Sequence, residues 1–489
     1  MRRVITLRPL LTTFLKTFLV LFPLVALWSL SNPMFAAPDE PAHLLRAQGF
    51  SQFDFSSPYR TDGIPLTEID CLRFKSDVTA ACMNLVWEEP WNELGTSTDG
   101  YPPLLHATAA IPNAIFDGLF ATYATRIWLA IVNVALLSWA AVISLRRGTW
   151  ALTGLMLGIT PTVVFTMGTV NPSGLSAAGA ALLVTGIASL DRGHNNSGKR
   201  LAPICIGAAI LILTRRDGAL WAALIAAVAY LPHVSLRQLV QRLTLSKKSR
   251  RGGVTAIPVV IASSFWVVPW VARFVDRRAT AERSTWQGIR ALRIYLDHLM
   301  GTFGWLDSTM GIEAFLISIA AAGFFVILAL GSAHRRHRWS IVMSLMLLVI
   351  VPVAFGTIRY PYFQGRYLIP MWIAAMVLAG HSLQSSHEIL NKLGIRPRPI
   401  LLLWLGVHVW SIVNNLKRYA TGRNGSWDLF NGDVWHPPMM SNFVTVALFA
   451  VTAALLLRVA LRIDRMELSR PLQEAVAKDD GTATNPRRD

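Results

Sequence analysis

Charge is scarce in this chain, and acid is scarcer than base. Only 15% of its 489 residues are charged, with 28 Asp and Glu against 46 Lys and Arg. A soluble globular domain carries about 25% charged residues, so an ordinary water-soluble fold is excluded. Cysteine is nearly absent, with three in the whole chain and no CxxC among them. No paired-His ligand motif and no glycine-rich phosphate loop occurs either, so nothing supports a zinc site or a nucleotide-cleaving domain. The net charge of +18 has no separate basic domain to carry it, which argues against a nucleic-acid partner.

Apolar residues are abundant, at 53% of the chain. Runs near 10–30, 121–145, 150–169, 173–190, 201–214, 219–232, 254–272, 312–331, 339–357, 367–383, 399–416 and 441–462 read as helices crossing a bilayer. The expected fold class is therefore an all-α integral membrane protein with about twelve transmembrane helices, a single polytopic domain over 1–465. The polar tail, 466–489, is expected to be disordered and cytoplasmic. The runs at 201–214 and 219–232 are short and are divided by Arg215, Arg216 and Asp217. They read as two short spans or one re-entrant hairpin. The basic, apolar amino terminus has the makings of a signal peptide. Its length and the absence of a small-x-small site before Asn32 favour a retained first helix.

Lys and Arg set the orientation. With both termini cytoplasmic, the inside loops gather Arg146 and Arg147, Arg192 to Arg200, Arg237 to Arg251, Arg335 to Arg338, and Lys392 to Arg398. The long loop 31–120 then falls outside, with twelve acids against four bases. Further outside loops, 273–311, 358–366 and 417–440, share that face. Long loops of this kind tend to be functional. Cys71 and Cys82 both lie in the first outside loop, where a disulfide is permitted and would stabilise by about 2–4 kcal/mol. Cys205, in an apolar run, reads as a packing residue.

Chemistry concentrates in Asn32–Gln48, directly after the first span. Asp39, Glu40, His43 and Arg46 sit there among prolines 33, 38 and 41. Asp39 reads as a general base, with Glu40 beside it as a second catalytic candidate. The plainer reading is an Asp39 N-cap on a helix with Pro41 in its first turn. On a helix starting at 39, Asp39 and His43 share a face. Tyr101-Pro102-Pro103 with His106 returns the chain to the membrane, either as a rigid turn or as a wall facing Asp39. Asn171 to Gly174 reads as a tight turn. Trp305 and Asp307 suit a sugar, with an interfacial Trp as the alternative. Arg366 and Tyr367 open a late span, where an Arg either snorkels or grips phosphate. Arg215 and Arg216 fall on the same face with the same choice. Trp427, Asp428, Trp435 and His436 are weaker candidates for closing over the site.

Four ordered motifs, Pro38–His43 (PDExxH), Tyr101–Pro103 (YPP), Gly304–Asp307 (GWLD) and Gln364–Pro370 (QGRYxxP), span nearly the whole chain. Together they resemble a bacterial multi-pass membrane-protein family. That family in turn resembles the GT-C superfamily of glycosyltransferases that use polyprenyl-phosphate sugars. The resemblance implies a GT-C-like fold in the bacterial cytoplasmic membrane and a polyprenyl-phosphate-linked sugar as donor. The implied acceptor is an envelope glycan, lipid or protein. It places Asp39 at the catalytic acid position with Glu40 beside it. No cofactor follows with certainty, although a divalent cation is compatible. The expected function is outer-face sugar transfer with inversion. The competing expectations are a transporter or flippase for a lipid-linked glycan, or a non-catalytic subunit of an envelope-synthesis complex. A transporter predicts charges near the midplane and an internal repeat, whereas the ionisable clusters here lie at the outer ends of the runs.

Overall fold

The computed structural model describes residues 7–55, 59–61, 71–83, 92–94, 98, 100–190, 198–233, 285–359 and 363–459. The expected span at 254–272, the basic residues 237–251, the beginning of the 273–311 loop and the tail 466–489 lie outside the described residues.

The chain is an all-helical membrane fold. Helix α1 (Leu7–Ser31) leads into the short α2 (Glu40–Ser51). The first loop contains a two-stranded antiparallel ribbon, β1 (Tyr59–Thr61) on β2 (Asn92–Leu94). Then come α3 (Leu104–Asn113), α4 (Gly118–Arg147), α5 (Thr149–Gly158), α6 (Pro161–Met167) and α7 (Pro172–Ala188). Next are α8 (Gly198–Thr214), α9 (Gly218–Tyr230), α10 (Thr285–Arg290) and α11 (Leu292–Gly301). A tight hairpin, β3 (Thr302–Phe303) with β4 (Ser308–Thr309), precedes α12 (Ile312–Ser332) and α13 (Arg335–Arg359). The chain continues through α14 (Ile369–Ser385), α15 (His387–Lys392), α16 (Arg398–Ala420) and α17 (Asn442–Val459).

Seven helices are long and apolar enough to cross a membrane, and α5 with α6 adds a bent eighth. Three shorter apolar helices, α7, α8 and α9, complete the set among the described residues. Every expected run except 254–272 thus has its helix. The run at 150–169 is not one straight span: it bends by 72° between α5 and α6. Pro161 is the cause, because it disfavours helical geometry at Thr160 and cannot donate a hydrogen bond. The carbonyls freed at the break are caught from other helices. Trp372 Nε1 donates to the Leu157 carbonyl at 3.2 Å and Trp404 Nε1 to that of Ile159 at 2.9 Å. Irregular backbone at membrane depth survives only when protein satisfies it in this way.

Helix α14 is the axis of the bundle, with 89% of its apolar window buried, against 22% for α17 at the periphery. It packs closely on α5 because Gly154 and Gly380 face each other, where an added Cβ on Gly154 would sit 2.9 Å from the Gly380 Cα. The helices α1, α12, α13 and α17 turn most of their apolar surface outward, as a lipid-facing layer does. Cys205 belongs to that layer: it is exposed on α8 and is not a packing residue of the core.

Candidate functional site

Two carboxylates one residue apart meet opposite fates. The chain leaves α1 at Ser31 and turns through Pro33 and Phe35 before α2 begins at Glu40. Glu40 is fully buried and points inward at Arg126 of α4. Arg126 Nε donates to Glu40 Oε1 at 2.8 Å and Nη2 to Oε2 at 2.6 Å. The remaining Arg126 N–H groups donate to the carbonyls of Ser29 (3.2 Å), Asn32 (3.0 Å) and Pro33 (2.8 Å). All five guanidinium donors are therefore matched. Glu40 also accepts from the backbone N–H of Val170 at 3.1 Å and of Ala37 at 3.4 Å. This pair pins the end of α1, the start of α2, α4 and the α6–α7 turn to one another. It leaves Glu40 no free lone pair facing a substrate.

Asp39 faces the other way. The helix starts at Glu40, so Asp39 precedes it, with φ 65° and no side-chain capping bond. Asp39 occupies the N-cap position, where its carbonyl accepts from the His43 N–H at 3.0 Å, but its side chain makes no capping bond. The left-handed backbone aims the carboxylate outward instead, 43% exposed, onto Arg366 Nη2 at 2.8 Å. Arg366 itself is 4% exposed. Its Nε and Nη1 are buried without a hydrogen-bond partner among the described residues. Such orphaned donors cost about 1–3 kcal/mol each and call for an explanation.

The QGRY turn that delivers Arg366 is fixed by its glycine. A Cβ at Gly365 would collide with the Tyr295 carbonyl of α11. Gly365 N–H donates to His298 Nδ1 at 3.4 Å, and burial, followed by the nearby Arg366 charge, pushes His298 down to about 4. Beside Arg366, Arg215 lies 4.5 Å above the Tyr367 ring and binds Asp217 through two nitrogens, at 2.8 and 3.1 Å. Burial opposes the Arg215 charge, yet Asp217 holds its pKa above the ordinary range. Arg215 also reaches Ser173 Oγ at 3.4 Å. Arg216 stacks over Tyr101 at 5.0 Å and donates to the Gly100 carbonyl at 2.6 Å.

Two buried imidazoles back Asp39. His43 and His106 are buried with their Nδ1 and Nε2 atoms 3.1 Å apart. Burial drives His43 down to about 3; Asp39 opposes this, while Arg366, Arg46 and Arg215 reinforce it. His106 is likewise lowered by burial. Arg46 is occupied with the carbonyls of Thr98 and Tyr101, the latter at 3.0 Å. Tyr101 is pushed up to about 12, first by burial and then by Tyr367. The Asn171 turn closes this side: Asn171 caps α7 through Ser173 N–H at 2.9 Å and reaches the Pro38 carbonyl at 3.2 Å. It is thus a fixed wall of the site as well as a turn.

Asp39, His43, Arg46, Tyr101, His106, Arg216, Arg366 and Tyr367, dispersed in sequence, therefore form one cluster. Trp305 and Asp307 stand at its edge. Trp305 Nε1 donates to the Phe35 carbonyl at 3.0 Å, bracing the loop that carries Asp39. Asp307 is turned away, onto Arg418 Nη2 at 3.0 Å. Arg418 also ties down the loop closed by the Cys71–Cys82 disulfide, through the carbonyls of Val78 (2.7 Å) and Lys75 (2.9 Å). Trp427 packs on Trp410 at 5.7 Å and Trp435 on Tyr419 at 6.1 Å.

Among the described residues, four guanidiniums (Arg46, Arg215, Arg216, Arg366) face two carboxylates (Asp39, Asp217) in this cluster. The excess is positive. A divalent cation fits this donor set poorly. Asp39 is the carboxylate left open to it, and no three His, Cys, Asp or Glu side chains gather among the described residues.

A polytopic helical membrane protein with a positively charged, partly open site at one end of its bundle is the class that the fold and the cluster define. The chain belongs to the predicted membrane protein family DUF2142, whose model matches residues 22–375 and so contains all four motifs. No curated protein matches it. The crystal structure of ArnT from Cupriavidus metallidurans bound to undecaprenyl phosphate is similar to it, with a TM-score of 0.42 and 16% sequence identity. That match covers 96% of this chain and 80% of the other.

Proposed function

We propose that the chain is an inverting, GT-C-like glycosyltransferase that moves a sugar from a polyprenyl-phosphate donor to an envelope acceptor. In this reading the site faces the outer side of a bacterial cytoplasmic membrane, with both termini inside. The observation that carries it is the Asp39–Arg366 pair: an open carboxylate held against a buried guanidinium that keeps two unmatched donors.

The acceptor hydroxyl attacks the anomeric carbon while its proton passes to Asp39. The bond from that carbon to the phosphate oxygen breaks, and its electron pair leaves with the phosphate. The donor is a phosphodiester with one negative charge, and the departing polyprenyl phosphate gains more. A site with excess guanidinium stabilises the second state over the first, which is what accelerates a reaction. Arg366 meets the phosphate through its unmatched Nε and Nη1, with Arg215 and Arg216 adding charge. Glu40 is a positioning residue, because its oxygens hold the loop and touch no substrate. Neutral His43 and His106 back the loop without adding charge. Trp305 positions Phe35 and, through it, the approach to Asp39.

Purified protein in lipid, offered a panel of radiolabelled polyprenyl-phosphate sugars with membrane extract as acceptor, tests this. Release of polyprenyl phosphate that disappears in Asp39→Asn and Arg366→Ala is the expected result. No release from any donor, together with movement of the lipid across the bilayer, would replace this reading with a flippase.

A further inference from the structure

A second charged recess sits at the far side of the GWLD hairpin and shares no residue with the Asp39 cluster. It is a cavity of about 440 Å³ between α11, the β3–β4 hairpin, the start of α12 and the end of α16. Arg293, Lys417, Arg418 and Arg423 line it with Asp297, while Asp307 is bonded to Arg418 from the hairpin and Glu313 stands in the first turn of α12. Arg418 is 2% exposed, and its Nε is buried without a partner among the described residues. Lys417 Nζ is held by the Gly422 carbonyl at 3.2 Å and the Arg423 carbonyl at 2.6 Å, and Trp427 lies 5.1 Å away. The cation is thus fixed in place at the recess.

The opposite wall is the N-terminus of α12, a helix of 21 residues that starts without a side-chain cap. Uncapped first-turn N–H groups favour an anion. Below them the lining turns apolar with Ile312 and Phe315. The same helix exposes Leu316 and Ile317 along its outward face. Cationic side chains, a buried orphan donor and apolar lining therefore share one recess at the end of a membrane span.

We propose that this recess binds the phosphate group of a membrane amphiphile whose headgroup carries no compensating cation, with the acyl or prenyl chain running down the outer face of α12. Phosphate is preferred over carboxylate because three guanidiniums and one ammonium line the recess, and a tetrahedral anion offers more acceptor oxygens to them than a planar one. The proposal stands apart from the transferase reading, since neither Asp39 nor Arg366 takes part. Through Arg418 the recess is bonded to Asp307 of the hairpin whose Trp305 braces the Asp39 loop. Occupancy would stiffen that loop.

The test uses the full chain in uncharged detergent, titrated separately with phosphatidylglycerol, phosphatidylcholine and inorganic phosphate. Retained lipid is counted by native mass spectrometry and stabilisation by the thermal midpoint. The variant is Arg293→Ala with Arg423→Ala, two exposed rim residues whose loss spares the Arg418 network. The expected result is binding of phosphatidylglycerol over phosphatidylcholine, weakened about tenfold in the double variant and unchanged in Asp39→Asn. Stabilisation by inorganic phosphate alone, with the same dependence on Arg293 and Arg423, supports the anion site and assigns it to a free anion. Equal binding of both lipids, or binding indifferent to the double variant, overturns the proposal.

Discussion

Glu40 with Arg126 and Asp39 with Arg366 are the same chemical pair, built one residue apart. Glu40–Arg126 is dry and saturated: neither side chain is exposed, and every guanidinium N–H has an acceptor. Asp39–Arg366 is half open, and two of its guanidinium nitrogens are unmatched. A saturated ion pair has nothing left to offer a ligand and serves the scaffold. An unsaturated one retains binding capacity and is where a phosphate or a proton can be taken up. Residue type does not separate the two; completeness of hydrogen bonding does.

The strongest way to break the comparison is to remove one partner from the saturated pair. Arg126→Ala leaves Glu40 charged, buried and alone, and should cost about 3–5 kcal/mol of stability. Denaturant or thermal unfolding in detergent checks this. Replacing both members, Glu40→Leu with Arg126→Met, should recover a good part of the loss, as apolar substitutes for a whole buried pair do. Recovery of nothing would mean that the backbone carbonyls held by Arg126 matter more than Glu40.

On the open pair the same operation should act on activity. Asp39→Asn keeps the shape and is expected to lower sugar transfer by about 10²–10⁴-fold, with unfolding shifted by less than the ~3–5 kcal/mol that breaking the fully buried pair costs. Arg366→Lys keeps the charge but loses the planar fork, so transfer should fall by about 10²-fold. Both rates come from the release of labelled polyprenyl phosphate. An Asp39→Asn protein that retains full transfer would remove Asp39 from the reaction.

The sequence shows the outline of this division but not its cause. The apolar runs located the spans because a bilayer demands length and hydrophobicity, and both are local. The disulfide was legible because Cys71 and Cys82 stand alone in one polar loop. The PDExxH, YPP and QGRYxxP motifs meet around Asp39, whereas Asp307 of GWLD turns away onto Arg418. Which of the two acids would be buried was not legible, since it depends on Arg126 and on the Val170 N–H, which belong to other elements. One signal was available: an Arg inside an apolar run marks a position that must be paired. The break at Ile159–Thr160 was hidden in an unbroken apolar run, although Pro161 was its cue. Asp307 read as a sugar ligand because its true partner, Arg418, lies 111 positions away.

The buried histidines sharpen the comparison through pH. His43 falls to about 3 in the fold because burial disfavours its charge, against about 6.5 in the unfolded chain. A depressed histidine is stable as the neutral base, so its contribution is fully present above about pH 6.5. It is lost as pH falls from there towards 3, because the unfolded chain then binds the extra proton. The expected slope is about 1.4 kcal/mol per pH unit for each such imidazole. His106, lowered by the same burial, adds to it. Thermal midpoints between pH 7.5 and 5 should fall in wild type and fall less steeply in His43→Gln. Parallel curves would mean that the imidazoles are reached by water.

The smallest effect isolates the backbone that turns Asp39 outward. Its φ of 65° lies in the left-handed region, which costs an ordinary L-residue about 1–2 kcal/mol and glycine almost nothing. Asp39→Gly and Asp39→Ala both delete the carboxylate and strand Arg366 equally. Their difference in stability therefore reports the backbone alone. Glycine should be the more stable by about 1 kcal/mol, less a few tenths for its greater freedom when unfolded. Neither should transfer sugar. If alanine matched glycine, the left-handed turn would be relaxing once the Arg366 contact is gone. The Asp39–Arg366 bond would then be holding the loop in shape, a role that the comparison assigns to Glu40 alone.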